Sequence, residues 1–196
     1  MKNFVYTLAL LASFVMRAEA VQTITSSPCD IVVGDPNAPI KIYEFSSMTC
    51  DHCAEFHSKA LPAIKAKYID TGKAVLIFKH FPMDVFGATA AMVVTSLPAS
   101  ERFEALNTLY ATQKKWITPH YLKEISAICK VDPKKVSDLI NNKESREQIF
   151  KIRLEAEKEL KVDATPTFFI NGKKVEGSLP LKEFDKLISE AAKKPV

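Results

Sequence analysis

An α/β domain split by an all-helical insertion is the fold class this sequence predicts, and three observations predict it. A strand, a helix and a strand follow one another between residues 40 and 81. From about residue 85 to residue 160 every apolar repeat has the helical period. Strand signals then return over residues 167–176, and one amphipathic helix follows them.

Residues 31–33 and 40–45 are strand-like, with Asp35-Pro36-Asn37 as the turn between them. A helix runs from about residue 51 to residue 68, with Phe56, Ala60, Leu61, Ile64 and Tyr68 on one face and an expected kink at Pro62. Asp70-Thr71-Gly72 ends it, and residues 75–81 form the next strand. A right-handed crossover should set these two strands side by side and parallel. In the insertion, Phe103, Leu106, Leu109 and Tyr110 share a face, and Ile149, Ile152, Ala156 and Leu160 form a second stripe. Thr118-Pro119 and Asp132-Pro133 each offer an N-cap followed by proline at the first helical position. Asn171-Gly172 between residues 167–170 and 173–176 is a strong hairpin signal. Leu181, Phe184, Leu187 and Ile188 point the last helix inward. The expected division is a leader over residues 1–20, an α/β domain from 21–83 and 161–196, and a helical insertion over 84–160.

The leader reading rests on Lys2, the apolar stretch from Phe4 to Met16, and Ala18-Glu19-Ala20 as a cleavage site, with Val21 as the mature N-terminus. The alternative is an uncleaved anchor, but the apolar run of about 13 residues is short against the roughly 20 a spanning helix needs. A secretory signal places the mature chain in an oxidising compartment, which for a bacterial protein is the periplasm. At 47% apolar residues the chain can bury a real core. The formal charge of +4 falls to +3 without Lys2, Arg17 and Glu19, and bases and acids interleave as on solvated helix faces. Neither nucleic acid nor an anionic membrane is implied. Five glycines leave no phosphate-cradling loop.

The chemistry concentrates at Cys50-Asp51-His52-Cys53, where a strand meets a helix. A Cys-x-x-Cys at such a junction is a redox arrangement. Unpaired N–H groups and the positive end of the helix dipole favour negative charge in the first turn. A cysteine there loses its proton more readily, and the thiolate is both nucleophile and leaving group in disulfide exchange. Cys50 therefore reads as the reactive sulfur and Cys53, about one turn deeper, as its resolving partner.

Residues 43–53, Tyr-Glu-Phe-Ser-Ser-Met-Thr-Cys-Asp-His-Cys, resemble the active-site strand and helix start of the DsbA family of thiol:disulfide oxidoreductases. Residues 162–172, Val-Asp-Ala-Thr-Pro-Thr-Phe-Phe-Ile-Asn-Gly, resemble that family's cis-proline loop and hairpin, and the helical stretch between matches its insertion. The resemblance spans essentially the whole mature chain. It implies a thioredoxin-like fold with an inserted all-helical subdomain. It also implies a donor of disulfides to unfolded or newly exported cysteine-containing proteins, reoxidised by a membrane quinone-linked, DsbB-like thiol oxidase. Carried over, Cys50 is the nucleophile, Cys53 the resolving cysteine, His52 a stabiliser of the thiolate, and Thr165 and a cis Pro166 the substrate-facing loop. Glu44 matches the acidic residue that relays a proton to Cys53; its alternative is a strand carboxylate reaching solvent or pairing with Lys79. No cofactor is required, and the chain is expected to be a monomer. Two departures bear on the direction of exchange. Asp51 stands where the family's best-known oxidant has proline, and a carboxylate beside the thiolate disfavours its charged form. Thr165 also resembles the isomerase branch, so an isomerase or reductase held reduced by a membrane donor stays open.

Cys29 and Cys129 remain. In an oxidising compartment a structural disulfide between them would close a loop of about 100 residues, worth up to roughly 4.7 kcal/mol in the chain-entropy model. The alternative is a buried Cys129 and a free Cys29. The rival functional class is metal binding, since Cys50, Cys53, His57 and Met48 are ligand types that zinc or copper accepts. No second Cys or His cluster supplies a further ligand, and His80 and His120 stand alone.

Overall fold

The computed structural model describes residues 23–193 of the chain, so the expected leader lies outside the described residues. Five strands form one sheet: β1 (Ile31–Val33), β2 (Ile40–Ser46), β3 (Ala74–His80), β4 (Thr167–Ile170) and β5 (Lys173–Glu176), in the spatial order β1-β3-β2-β4-β5. β2 and β3 are parallel, with Glu44 opposite Phe78 and Phe45 opposite Lys79. The other pairings are antiparallel. β4 is buried along its whole length, whereas the edge strand β5 is more open and begins with two lysines, which discourages pairing with another chain. Asn171 (φ 44°) and Gly172 (φ 85°) both take left-handed backbone in the β4–β5 turn, the conformation of a tight hairpin.

A helical run, α1 (residues 51–69), connects β2 to β3. It is α-helical at Asp51–Glu55 and Leu61–Ile64 and widens into π turns at Phe56–Ala60 and Lys65–Ile69. The first π turn, closed by the Leu61 N–H on the Phe56 carbonyl, lies directly before Pro62. A proline ring collides with the carbonyl four residues back, and widening the turn relieves this without breaking the run. Gly72 (φ 70°) follows the run in left-handed backbone.

Six helices lie between β3 and β4: α2 (Val85–Thr95), α3 (Ala99–Ala111), α4 (Gln113–Trp116), α5 (Tyr121–Cys129), α6 (Pro133–Asn141) and α7 (Lys143–Glu159); α8 (Leu181–Ala192) follows β5. α2 is buried from Gly87 to Val94 and forms the centre of this helical layer. Asp132 caps α6 by accepting the Lys134 N–H at 2.7 Å. Thr118 does not cap α5. Its carbonyl accepts the Tyr121 N–H (3.0 Å) and its hydroxyl the His120 N–H (3.1 Å), so Thr118-Pro119 makes a turn and the helix starts beyond it. Among the described residues, no helix is long and apolar enough to cross a membrane.

Both sheet faces are covered. Phe168 of β4 meets Phe56 of α1 and Phe184 of α8 at centroid distances of 4.7 and 4.9 Å. Its neighbour Phe169 points the other way, packing with Phe45, Phe81, Ala156, Leu160 and Val162 beneath α7.

Lys79 is buried beside Asp30, with Nζ 2.7 Å from Oδ1. Glu44 neither reaches solvent nor pairs with Lys79, because consecutive strand residues face opposite sides of the sheet and Glu44 is opposite Phe78.

His80 is buried, and burial, reinforced by Arg102 and Lys79, holds its pKa down to about 3. An unfolded histidine titrates near 6.5, so the unfolded chain takes this proton first. The stability that neutral His80 contributes is therefore fully present above about pH 6.5 and is lost as pH falls toward about 3. Urea unfolding between pH 7 and pH 4 should show this loss, and His80→Leu should flatten it; an unchanged slope in the variant would refute the assignment.

Candidate active site

The site forms where β2 ends and α1 begins. Cys50 is the N-cap of α1, in extended backbone (φ −83°, ψ 122°), and its Sγ accepts the Cys53 N–H at 3.3 Å. Sulfur thus takes the place that a Ser or Asp oxygen usually holds at this position. The helical layer reaches into the same loop. The buried Gln113 of α4 donates from Nε2 to the carbonyls of Met48 (2.9 Å) and Cys50 (3.1 Å). Gly87 of α2 packs so closely that a Cβ there would lie 2.9 Å from Ser47 Oγ.

The two thiols are displaced in opposite directions. The Cys50 pKa is lowered to about 6, chiefly by the hydrogen bond from the Cys53 thiol. Partial burial opposes this, while Thr165 and the backbone N–H groups of Cys53 and His52 assist it. Cys53 is fully buried, and burial, followed by its hydrogen bond and charge interaction with Cys50, raises its pKa far above the thiol range.

Thr165-Pro166 faces the cysteines from just before β4. The peptide bond is cis, and the Cys50 thiol donates to the Thr165 carbonyl at 3.3 Å. The Thr165 hydroxyl donates to Met83 Sδ at 3.2 Å, and Met83 and Val85 present exposed apolar side chains there.

A buried polar network lies beneath. Glu44 accepts from the Ser46 hydroxyl (2.6 Å) and is bonded to His57 Nε2 (3.0 Å). His57 Nδ1 is bonded to Asn107 Oδ1 of α3 (2.8 Å), and the Tyr110 ring lies against the imidazole at 4.4 Å. Burial alone would drive His57 neutral; the Glu44 carboxylate more than offsets this and holds its pKa above the ordinary value.

The family model described as thioredoxin matches residues 26–190. The chain belongs to the thioredoxin family. Within that family, the Bacillus anthracis probable disulfide bond formation protein D is 30% identical over 165 residues, covering 79% of this chain and 73% of that protein. The crystal structure of Wolbachia pipientis alpha-DsbA1 is 33% identical with a TM-score of 0.74, covering 86% of this chain and 96% of that one. Chlamydia trachomatis DsbA, at 21% identity and a TM-score of 0.74 over 90% of this chain and 97% of that one, shares the fold. This thioredoxin-family chain is a DsbA-type protein disulfide oxidoreductase with a thioredoxin-like fold and a helical insertion.

The thioredoxin-type strand and helix bring Cys50, Cys53, Glu44, Thr165 and Pro166 together. The His52 imidazole is not part of that cluster: it is 75% exposed and lies 3.8 Å from Glu55, so what His52 offers Cys50 is its backbone N–H. Asp51 is exposed at the first helical position. All four cysteines are free thiols, and the bridge expected between Cys29 and Cys129 is not formed. Cys29 Sγ instead donates to Gln148 Oε1 at 3.7 Å, while burial pushes Cys129 up to about 11. His57 turns toward Glu44 and Asn107 rather than making a metal site with the cysteines; among the described residues no three His, Cys, Asp or Glu side chains gather as ligands. Sequence reasoning missed His57 as the partner of Glu44, although it stands one helical turn past Cys53. It also missed Gln113, which carries no local signal.

Proposed function

We propose that this oxidoreductase donates the Cys50–Cys53 disulfide to unfolded or newly exported cysteine-containing proteins in the periplasm. The observation that carries the reading is the opposite displacement of the two thiols. A reduced form with one stabilised thiolate is favoured over the disulfide, which makes the disulfide a stronger oxidant. A substrate thiolate attacks Cys50 Sγ; the Cys50–Cys53 bond breaks, and its electron pair leaves on Cys53, which takes a proton. A second substrate thiolate attacks the substrate sulfur of the mixed disulfide and expels Cys50 as a thiolate. The substrate leaves oxidised, and the Cys50–Cys53 pair has gained two electrons.

In this reading the Thr165-Pro166 loop lies against the substrate peptide, Glu44 serves the proton on Cys53, and His52 acts on Cys50 through its backbone N–H. The cysteines carry the electrons, so the exchange uses no cofactor. A DsbB-like, quinone-linked membrane oxidase returns the pair to the disulfide. The protein works as a monomer after cleavage of the leader at Ala20, and it divides into residues 21–83 with 161–196 and the insertion 84–160. Cys29 and Cys129 lie outside the exchange.

Glutathione equilibration of a chain starting at Val21 tests the direction of exchange. A potential near the strong-oxidant end, about −120 mV, is expected for a donor, and one near the thioredoxin value of about −270 mV would replace donation by reduction or isomerisation. Asp51→Pro, which removes the carboxylate beside Cys50, should raise the potential.

A further inference from the structure

The buried groups beneath Cys53 form a connected set that continues past Glu44 to His57. Opening the disulfide creates a thiolate on Cys53, the most deeply buried atom of the pair, with no direct access to solvent protons. The Ser46 hydroxyl acts on Cys53 and also donates to Glu44 Oε1 at 2.6 Å. Glu44 in turn bonds His57 Nε2 at 3.0 and 3.2 Å through its two oxygens. Asn107 anchors the other ring nitrogen at 2.8 Å, which aims the imidazole at Glu44. The ionisable groups facing His57 are Glu44 from β2, Tyr110 from α3 and, one turn earlier on α1, Cys53; β3 faces it with Phe78. The Tyr110 hydroxyl is buried beside Ser46 and completes no hydrogen bond of its own.

We propose that His57 is a positioning residue for the exchange, holding the proton that Glu44 and Ser46 pass to Cys53 when the disulfide opens. The inference rests on the proposed chemistry at Cys50 and Cys53. The attacking thiolate forms its bond to Cys50 Sγ, the S–S electron pair goes to Cys53 Sγ, and a proton moves from His57 Nε2 through the Glu44 carboxylate to that sulfur. His57 is left neutral and Cys53 is left a thiol. Reoxidation runs the proton back: Cys53 surrenders it as the S–S bond re-forms, and His57 recovers it. A buried pair thus exchanges one proton internally in each half-cycle. The Glu44 carboxylate holds the His57 pKa above its ordinary value, which favours the filled store.

The test is the rate at which dithiothreitol opens the Cys50–Cys53 disulfide from pH 5 to pH 9, divided by the concentration of attacking thiolate and read by rapid alkylation. The wild-type protein should show a high plateau at low pH that declines as pH rises and His57 loses its proton. His57→Gln should remove the decline and leave a flat rate at least about tenfold below the plateau, within the range of general acid catalysis. Asn107→Ala, which removes only the anchor of Nδ1, should keep the plateau and move the decline to lower pH, a shift that a purely structural role would not produce. Circular dichroism identifies a misfolded His57→Gln, in which case Asn107→Ala carries the test. A wild-type profile in both variants would overturn the proposal while leaving the exchange at Cys50 intact. A wild-type disulfide that dithiothreitol does not open would overturn the exchange reading itself, and this inference with it.

Discussion

Cys50→Ser should abolish disulfide exchange, whereas Cys53→Ala should remove donation and leave a Cys50 that is trapped as a mixed disulfide whenever it attacks a substrate disulfide. Cys50 is the half-buried sulfur at the helix start, and with a pKa of about 6 it is mostly thiolate at neutral pH. It is therefore the sulfur a substrate reaches and the one that leaves well. A serine oxygen at that position neither forms the disulfide nor departs as a stable anion, so the rate should fall to background, a loss of about 10³-fold or more. Cys53 is fully buried and held as a thiol, so it cannot be reached by a large substrate, but it can attack from inside. Without it there is no disulfide to donate, and the adduct formed when the Cys50 thiolate attacks a substrate disulfide, expelling one substrate thiolate, has lost its internal escape route and should accumulate. Non-reducing electrophoresis and mass spectrometry of quenched reactions distinguish the two variants. Adducts formed on Cys53 in Cys50→Ser, or turnover at the wild-type rate in Cys53→Ala, would reverse the assignment.

Lys79→Ala should lower the folding stability by about 3–5 kcal/mol, the cost of stranding one member of a buried ion pair. The Lys79 and Asp30 side chains are only 4% and 6% exposed, and Nζ also donates to the Thr25 carbonyl at 2.7 Å. Burial raises the Asp30 pKa, and Lys79 is the group that pulls it back down. Removing the ammonium leaves a carboxylate with neither solvent nor a counter-charge. The pair itself contributes less than this penalty, since two well-packed apolar side chains can replace a buried ion pair at little cost or with a gain. The double variant Lys79→Met with Asp30→Leu should therefore recover much of the loss. Urea unfolding of the reduced protein measures both, and a loss below about 1 kcal/mol in Lys79→Ala would show that the pair is effectively solvated.

The strands, the helical insertion and the placement of Cys50 and Cys53 at a helix start were legible in the sequence because each is written in local signals. Alternation and turn residues marked β1 to β5, and a Cys-x-x-Cys after an apolar strand marked the helix start. Thr118-Pro119 shows the limit of such signals. Its cap chemistry is correct, but the Thr118 carbonyl is taken by the Tyr121 N–H, so the same residues make a turn. Pro62 marked a disturbance in α1 without revealing that the chain would absorb it as a π turn. The His52 imidazole was illegible for a similar reason. Its place in the motif is local, but the direction of its imidazole depends on Glu55 three residues on.

Sequence alone determined which elements form, in what order, and which sulfur stands at a helix N-terminus, because these depend on spacing, turn chemistry and the helix's own unpaired N–H groups. The tertiary structure alone decided what surrounds that sulfur. The Thr165 carbonyl lies against Cys50 across 115 residues, and Gln113 secures the active-site loop from the helical layer across 63. The pleat of β2 turned Glu44 away from Lys79, and the packing of α1 and α3 on that face set His57 and Asn107 against it. Burial and electrostatic pairing are properties of three-dimensional neighbours. A thiol's displacement, or the partner of a buried carboxylate, therefore exists only once distant segments have been brought into contact.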